Sequence, residues 1–181
     1  MFETERLILR CFMDKDADAI FAMRSDPEFM RFIKQPETRQ QAVGWMQMVS
    51  HYWKFDNYGY WAVVLKETNE TIGWSGTWNL FETNEKEIGF AIAKEFWGRG
   101  YATEAAMVAL NYSFENRDAT RVVALAMPEN LSSRRVMKKL GMQLEEQKYF
   151  RSYGLELVYY SVTREDYARN SKINHAHVRA G

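Results

Sequence analysis

A strand that leads through a glycine-bearing loop into a helix most restricts how this chain can fold. The apolar stretch Ile88–Ile92 is typical of a strand, Trp97-Gly98-Arg99-Gly100 follows as a loop, and Tyr101–Phe114 has helical spacing. The main-chain amides of such a loop point in one direction, and the helix N-terminus adds partial positive charge. Two glycines let a ligand approach the main chain closely. The segment predicts a diphosphate site, although a glycine pair before a helix also fits a simple turn.

A dinucleotide-binding fold is one alternative for this glycine loop. Its fingerprint needs glycine or alanine at a third position, which here is Thr103. The fingerprint also follows the first strand of its domain, whereas this loop follows a run of three predicted strands. Both departures argue against a dinucleotide-binding fold.

Hydrophobic periodicity predicts a mixed α/β fold. The elements follow the order βααβββαβαββ, which favours a central mixed sheet of about seven strands with helices on both faces. Asp14 is the expected cap of the first helix, Thr38 and Gln41 form an expected capping box, and Gly141 is expected in the left-handed conformation. The predicted strands are 6–11, 60–66, 71–78, 86–93, 121–127, 143–150 and 155–163, and the main predicted helices are 16–24, 38–53, 101–114 and 130–140.

Charge and cysteine content exclude several classes of function. The 24 basic residues equal the 24 acidic ones, so we expect neither a nucleic-acid nor a membrane partner. Cys11 is the single cysteine, which excludes an internal disulfide, and we expect no metal site. The chain begins without an apolar leader and has no run of the roughly eighteen apolar residues that span a bilayer, which predicts a cytoplasmic protein.

The loop and two further segments resemble one known family. Trp97-Gly98-Arg99-Gly100-Tyr101-Ala102-Thr103-Glu104-Ala105 resembles the acetyl-CoA motif of the GNAT superfamily of N-acetyltransferases, and Asn130–Met142 is similar to its second cofactor motif. The opening Thr4–Arg10 resembles the branch of the RimJ/RimL-type ribosomal-protein N-terminal acetyltransferases. The resemblance implies one acetyltransferase domain over residues 1–167 with a mostly antiparallel sheet. Residues 168–181 lose the apolar pattern, and we expect them to form a flexible tail.

The resemblance also implies how acetyl-CoA binds. The strand edge at 90–92 would hydrogen-bond the pantetheine arm and the acetyl carbonyl, and the amides from Gly98 to Thr103 would hold the diphosphate. Asn130 would contact the pantetheine, although it also fits a plain helix N-cap. Ser133 and Arg135 would lie near the other end of the cofactor. The implied cofactor-binding residues are Phe90, Ala91, Ile92, Trp97, Gly98, Arg99, Gly100, Tyr101, Ala102, Thr103, Asn130, Ser133 and Arg135.

Acyl transfer to an amine needs a neutral nitrogen, so a general base is useful. Glu87 is the first candidate, because it shares a strand face with Gly89 and Ala91, and a plain strand-end charge is the alternative interpretation. Glu156 is the second candidate, because it matches an acidic position of the branch.

No residue is an obvious candidate for the general acid. Many family members place a tyrosine seven residues after the motif asparagine, and that position is Met137 here. Ser132 or a water could protonate the leaving thiolate, or no acid is needed, because a thiol with a pKa of about 8.5 leaves readily. By analogy with the family, Tyr153 and several other aromatic residues could line the acceptor site. Because aromatic residues at such positions more often belong to the core, none is assigned to the site.

Three hypotheses for function stay open. The first is direct acetyl transfer to the α-amine of a protein or peptide. The second is acetylation of a small amine such as a polyamine, an amino acid or an aminoglycoside. The third is a non-catalytic acyl-CoA-binding module. A monomer and a homodimer are both compatible with the sequence.

Overall fold

The structure, a computed structural model, describes residues 1–169 of the 181-residue chain. Its strands are β1 (Phe2–Glu3), β2 (Leu7–Arg10), β3 (Gly59–Leu65), β4 (Glu70–Leu80), β5 (Glu85–Ile92), β6 (Arg121–Ala126), β7 (Gln143–Phe150) and β8 (Leu155–Thr163). Its helices are α1 (Ala17–Ser25), α2 (Pro27–Met30), α3 (Arg39–Asp56), α4 (Tyr101–Asn116) and α5 (Leu131–Lys139), with 3-10 turns at Asp14–Asp16 and Lys94–Phe96. Residues 164–169 are also helical. No helix among residues 1–169 is long and apolar enough to cross a bilayer.

The strands form one eight-stranded sheet in the order β1-β2-β3-β4-β5-β6-β8-β7. The pairs β1/β2, β2/β3, β3/β4, β6/β8 and β7/β8 are antiparallel, and β5/β6 is parallel at Lys86↔Val122 and Glu87↔Val123. The mixed α/β class and the mostly antiparallel sheet are therefore confirmed. The additional strand is β1, whose two residues are too few to show a period.

The chain divides into two compact units. The first comprises Met1–Trp78 and Ile88–Ala109, and the second comprises Asn79–Glu87 and, within the described residues, 110–169. In the first, residues of α1, α2 and α3 share a core with residues of β3 and β4, including Ile20, Met30, Val49, Ala62 and Trp74. In the second, Leu80, Val123, Phe150, Leu157 and Tyr159 form a core cluster. The single domain over residues 1–167 stays a prediction.

Helix α3 of the first unit follows its sequence signals closely. The Thr38 amide donates to Gln41 Oε1 at 2.8 Å, and the Thr38 hydroxyl accepts from the Gln41 amide at 3.4 Å, so the predicted capping box is confirmed. Ala42, Met46 and Val49 are buried along one face. This face anchors the helix on the core of the first unit.

The expected cap of α1 is wrong. Asp14 lies in a 3-10 turn, and the residue at the N-cap is Asp16, whose side chain forms no capping hydrogen bond. The Asp16 carboxylate instead accepts from both terminal nitrogens of Arg10, at 2.7 and 2.8 Å, and from Thr71 Oγ1 at 2.6 Å. These tertiary partners compete with the cap and cannot be identified from the local sequence.

Helix α5 of the second unit has both predicted ends. Asn130 Oδ1 accepts from the Ser133 amide at 3.1 Å, and Gly141 has a φ of 81°. Residues 168 and 169 of the expected tail are helical, and the remainder of that tail lies outside the described residues. The flexibility of the tail stays a prediction.

Candidate active site

The predicted diphosphate loop joins the 3-10 turn Lys94–Phe96 to α4. Gly98 and Gly100 have φ values of 78° and 85°, a left-handed conformation that most other residues adopt only with strain. The first hydrogen bond of α4 runs from the Glu104 amide to the Gly100 carbonyl, at 3.1 Å. The amides of Tyr101, Ala102 and Thr103 therefore have no helical acceptor, and they are donors of the kind that bind phosphate at helix N-termini.

The opening segment of the chain supports this loop. Glu104 accepts hydrogen bonds from Thr4 Oγ1 at 2.6 Å, from the Arg6 amide at 3.0 Å and from Arg6 Nε at 2.7 Å. Arg6 also donates to the Arg99 carbonyl at 2.9 Å, and its guanidinium lies 4.5 Å from the centre of the Tyr101 ring. The opening segment and the glycine loop, which both resemble the family, are thus joined by hydrogen bonds.

Burial alone would raise the pKa of Glu104, but hydrogen bonds from Thr4 and Arg6 and the charge of Arg6 hold that pKa below its usual value. Glu104 is therefore a fixed anion that anchors the loop. Thr4, Arg6 and Glu104 are not among the site residues predicted from the sequence. All three residues lie in segments that resemble the same family, and this shared resemblance was the signal that could have identified them as site residues.

Strand β5 leads into the loop. Phe90 and Ala91 are half-buried, Ile92 is buried, and a Cβ added to Gly73 of β4 would lie 2.1 Å from the Ala91 carbonyl oxygen. Glycine at position 73 thus permits the close approach of β4 to β5. The Trp97 indole N–H donates to the Ile92 carbonyl, although the Trp97 side chain is 51% exposed. Trp97 therefore braces the end of β5.

The first candidate base lies at the end of β5 that belongs to the second unit. Glu87 is 7% exposed, and Tyr153 Oη donates to its Oε2 at 2.8 Å. Burial raises the pKa of Glu87 to about 7, against the opposing effect of the Tyr153 hydrogen bond. A carboxyl with this pKa can take up and release a proton near neutral pH, as a general base must. Tyr153 was not predicted as a site residue, and its contact with Glu87 depends on tertiary structure that the local sequence does not show.

The second candidate base is in a different environment. Glu156 of β8 is exposed, and its nearest polar contact is Gln147 Nε2, at 3.4 Å. The two candidate bases therefore differ in burial, Glu87 being buried and Glu156 exposed, and Glu156 as a base stays a prediction.

The remaining predicted positions lie on α5. Asn130 is the N-cap, Ser133 is half-buried and Arg135 is exposed. Met137 is 1% exposed and belongs to the core, so the usual position of the acid holds a packing residue. Within residues 1–169 there is no cluster of His, Cys, Asp and Glu that could hold a metal ion.

The glycine loop at the start of α4 suits a coenzyme that carries a diphosphate. Residues 6–143 match the family described as the acetyltransferase (GNAT) domain. The chain belongs to this family and is an acetyl-CoA-dependent N-acetyltransferase. Membership favours the two enzymatic hypotheses over the non-catalytic module.

Several known proteins similar to this chain are named as acetyltransferases. The chain is 32% identical over 148 residues to the uncharacterized N-acetyltransferase YoaA of Bacillus subtilis, with 80% of this chain and 84% of YoaA covered. It is 31% identical over 173 residues to the FsC-acetyl coenzyme A-N(2)-transacetylase of Aspergillus fumigatus, with 81% and 69% covered. A GNAT-family acetyltransferase structure from Bacillus anthracis superposes with a TM-score of 0.78 at 28% identity, with 90% of this chain and 98% of that chain covered.

Proposed function

We propose that this protein transfers the acetyl group of acetyl-CoA directly to the α-amine of a protein or peptide, with Glu87 as the general base. The observation that carries the proposal is the buried Glu87 carboxyl, whose pKa burial raises to about 7. Assignment to the RimJ/RimL-type branch is part of the proposal. It is supported by the opening segment, in which Thr4 and Arg6 bind Glu104 of the acetyl-CoA motif.

The pKa of Glu87 suits an α-amine better than a lysine-like amine. A protein α-amine has a pKa of about 7.7–8.0, so proton transfer to a carboxylate with a pKa of about 7 is uphill by roughly one unit. Proton transfer from an amine with a pKa of about 10.4 would be uphill by more than three pKa units, or roughly 4–5 kcal/mol. A buried carboxylate therefore deprotonates the weaker base at much lower cost.

We assign the cofactor to the predicted residues of β5, the loop and α5. The donors at the start of α4 and the positive end of its dipole fit a diphosphate, and Arg99 adds a positive charge. Phe90–Ile92 are proposed to bind the pantetheine arm through their main chain, and Asn130, Ser133 and Arg135 to contact other parts of the cofactor. When bound, acetyl-CoA supplies the activated acetyl thioester. Glu87 takes the proton that the acceptor amine must lose.

A small amine is the second candidate acceptor. It is supported by the Aspergillus fumigatus relative, whose name, FsC-acetyl coenzyme A-N(2)-transacetylase, contains no reference to a protein N-terminus. The same cofactor residues and the same base would serve this acceptor. Only the acceptor pocket would differ.

An acceptor comparison tests the proposal. Coenzyme A release from acetyl-CoA is measured with lysine-free peptides that differ in their first residue, with the same peptides blocked at the N-terminus, and with spermidine. We expect release with unblocked peptides, none with blocked peptides, and acetylation of the peptide N-terminus by mass spectrometry. Faster turnover of spermidine than of every peptide would reject the α-amine assignment and favour the small-amine enzyme.

A further inference from the structure

The hydrogen bond to Glu87 comes from a turn distant in sequence. Tyr153 lies in the turn of residues 151–154 between β7 and β8, and its hydroxyl donates to Glu87 Oε2 at 2.8 Å. The Tyr153 amide donates to the Phe150 carbonyl at 3.2 Å and the Gly154 amide donates to the same carbonyl at 2.8 Å, so the turn closes by itself. These local bonds shape the turn but do not fix its position on β5.

Glu82 makes the contacts that hold the turn in position. This exposed residue follows β4, five residues before Glu87, and its carboxylate accepts three hydrogen bonds from the turn between β7 and β8. The donors are the Arg151 amide at 3.0 Å, the Ser152 amide at 3.1 Å and the Ser152 hydroxyl at 2.6 Å. Hydrogen bonds to an ionised acceptor are stronger than neutral ones, so three on one carboxylate form a firm attachment.

The attachment and the base are linked through a short path. The connection that carries Glu82 continues directly into β5 and Glu87, while Ser152 and Tyr153 are consecutive in the turn. A turn held at Ser152 places the next side chain over the Glu87 carboxyl. Without that attachment, the 45% exposed Tyr153 side chain would have more freedom to leave Glu87.

We infer that Glu82 and Tyr153 are positioning residues for Glu87: Glu82 holds the turn, and the turn holds the Tyr153 hydroxyl on the buried carboxyl. The inference rests on the proposed function only in calling Glu87 the base. The hydrogen-bond path exists whatever the acceptor is.

Other charged groups on β5 have their own partners. Glu85, which shares the face of Glu87, accepts from Tyr159 and pairs with Arg121 at 3.4 Å. Lys86 points to the opposite face and donates to Asn79 Oδ1 at 3.0 Å. Besides burial, the hydrogen bond from Tyr153 is the cause that shifts the pKa of Glu87.

The test follows the ionisation of Glu87 in the free protein. Carbon-13 NMR of protein labelled at glutamate carboxyls gives one titration curve for each glutamate, and the curve missing from Glu87→Gln identifies Glu87. Because a hydrogen bond to the ionised form lowers a carboxyl pKa, Tyr153→Phe should move the Glu87 midpoint upward by about one pH unit. Glu82→Ala should move it in the same direction, and the double variant should move it no further than Tyr153→Phe alone.

Two further variants make the test decisive. Ser152→Ala removes one of the three bonds to Glu82 and should give a smaller upward shift, which serves if Glu82→Ala does not fold. Glu129→Ala removes an exposed carboxyl of the same unit and should leave the midpoint unchanged. An unchanged midpoint in both Glu82→Ala and Ser152→Ala would overturn the inference, as would an equal Glu82→Ala shift with and without Tyr153.

Failure of the proposed function gives a different result. If Glu87→Gln kept full acetyl-transfer activity, Glu87 would not be the base. The NMR midpoints of the other variants would still report whether Glu82 acts on Glu87 through Tyr153.

Discussion

Among single residues, Glu87 shows most clearly how burial sets chemistry. Its place on the face of β5 can be predicted from the alternation of a strand. Its pKa of about 7 cannot, because it depends on burial by the folded chain and on Tyr153, 66 residues away in sequence. Similarly, the capping hydrogen bond of Asn130 is local and was predicted. The hydrogen bonds of Asp16 with Arg10 and Thr71 depend on tertiary structure and were not predicted.

The pH dependence of turnover tests the role of Glu87. In the wild-type enzyme, kcat/KM for a peptide acceptor should rise with pH through an inflection near pH 7, as Glu87 ionises. In Glu87→Gln this inflection should disappear, and the rate at pH 7.5 should fall roughly 100-fold. Glu156→Gln is the matched variant for the second candidate base. An unaltered profile in Glu87→Gln with a lost inflection in Glu156→Gln would transfer the role to Glu156.

Stability gives a second prediction for the same residue, independent of activity. The folded-state pKa of about 7 lies above the ordinary value of 4.5, so between these values the folded protein binds more protons than the unfolded chain. The free energy of unfolding therefore falls as pH rises from about 4.5 to 7, and the penalty is complete above pH 7.

Glu87→Gln removes this penalty. The variant should equal the wild type in stability near pH 4 and exceed it by about 3 kcal/mol at pH 8, as measured by urea unfolding. Equal stability of the two proteins at pH 8 would show that Glu87 ionises normally in the folded state.

At the scale of elements, periodicity predicted the longer helices and strands, and strong local signals fixed several of their ends. The capping box at Thr38 and the left-handed Gly141 are such signals. The two-residue β1 has no period to detect. The buried ion pair of Arg24 with Glu37 was also not predicted, because it joins residues whose contact is created by tertiary packing.

The loop between β5 and α4 carries a prediction of its own. Gly100→Glu should abolish acetyl-CoA binding, because it places a carboxylate in a left-handed position where phosphate oxygens are expected. Gly100→Asn is the control, since asparagine tolerates this conformation and adds no charge. Calorimetric titration should show no binding to the first variant and weakened binding to the second. Unchanged affinity in Gly100→Glu would place the diphosphate elsewhere.

For the whole molecule, the order of elements and the two cofactor motifs identified the fold class and the enzyme family from the sequence. The acceptor could not be identified in the same way, because neutral overall charge and scattered aromatics define no pocket. The structure adds the environment of Glu87, on which the proposal of an α-amine acceptor rests. Family membership makes the protein an acetyltransferase.

The most direct test is a crystal structure of the protein with coenzyme A. The diphosphate oxygens should lie within about 3 Å of main-chain nitrogens in the segment from Gly98 to Thr103. A coenzyme bound with its diphosphate away from this segment, and with the amides of Tyr101, Ala102 and Thr103 turned from it, would contradict the account.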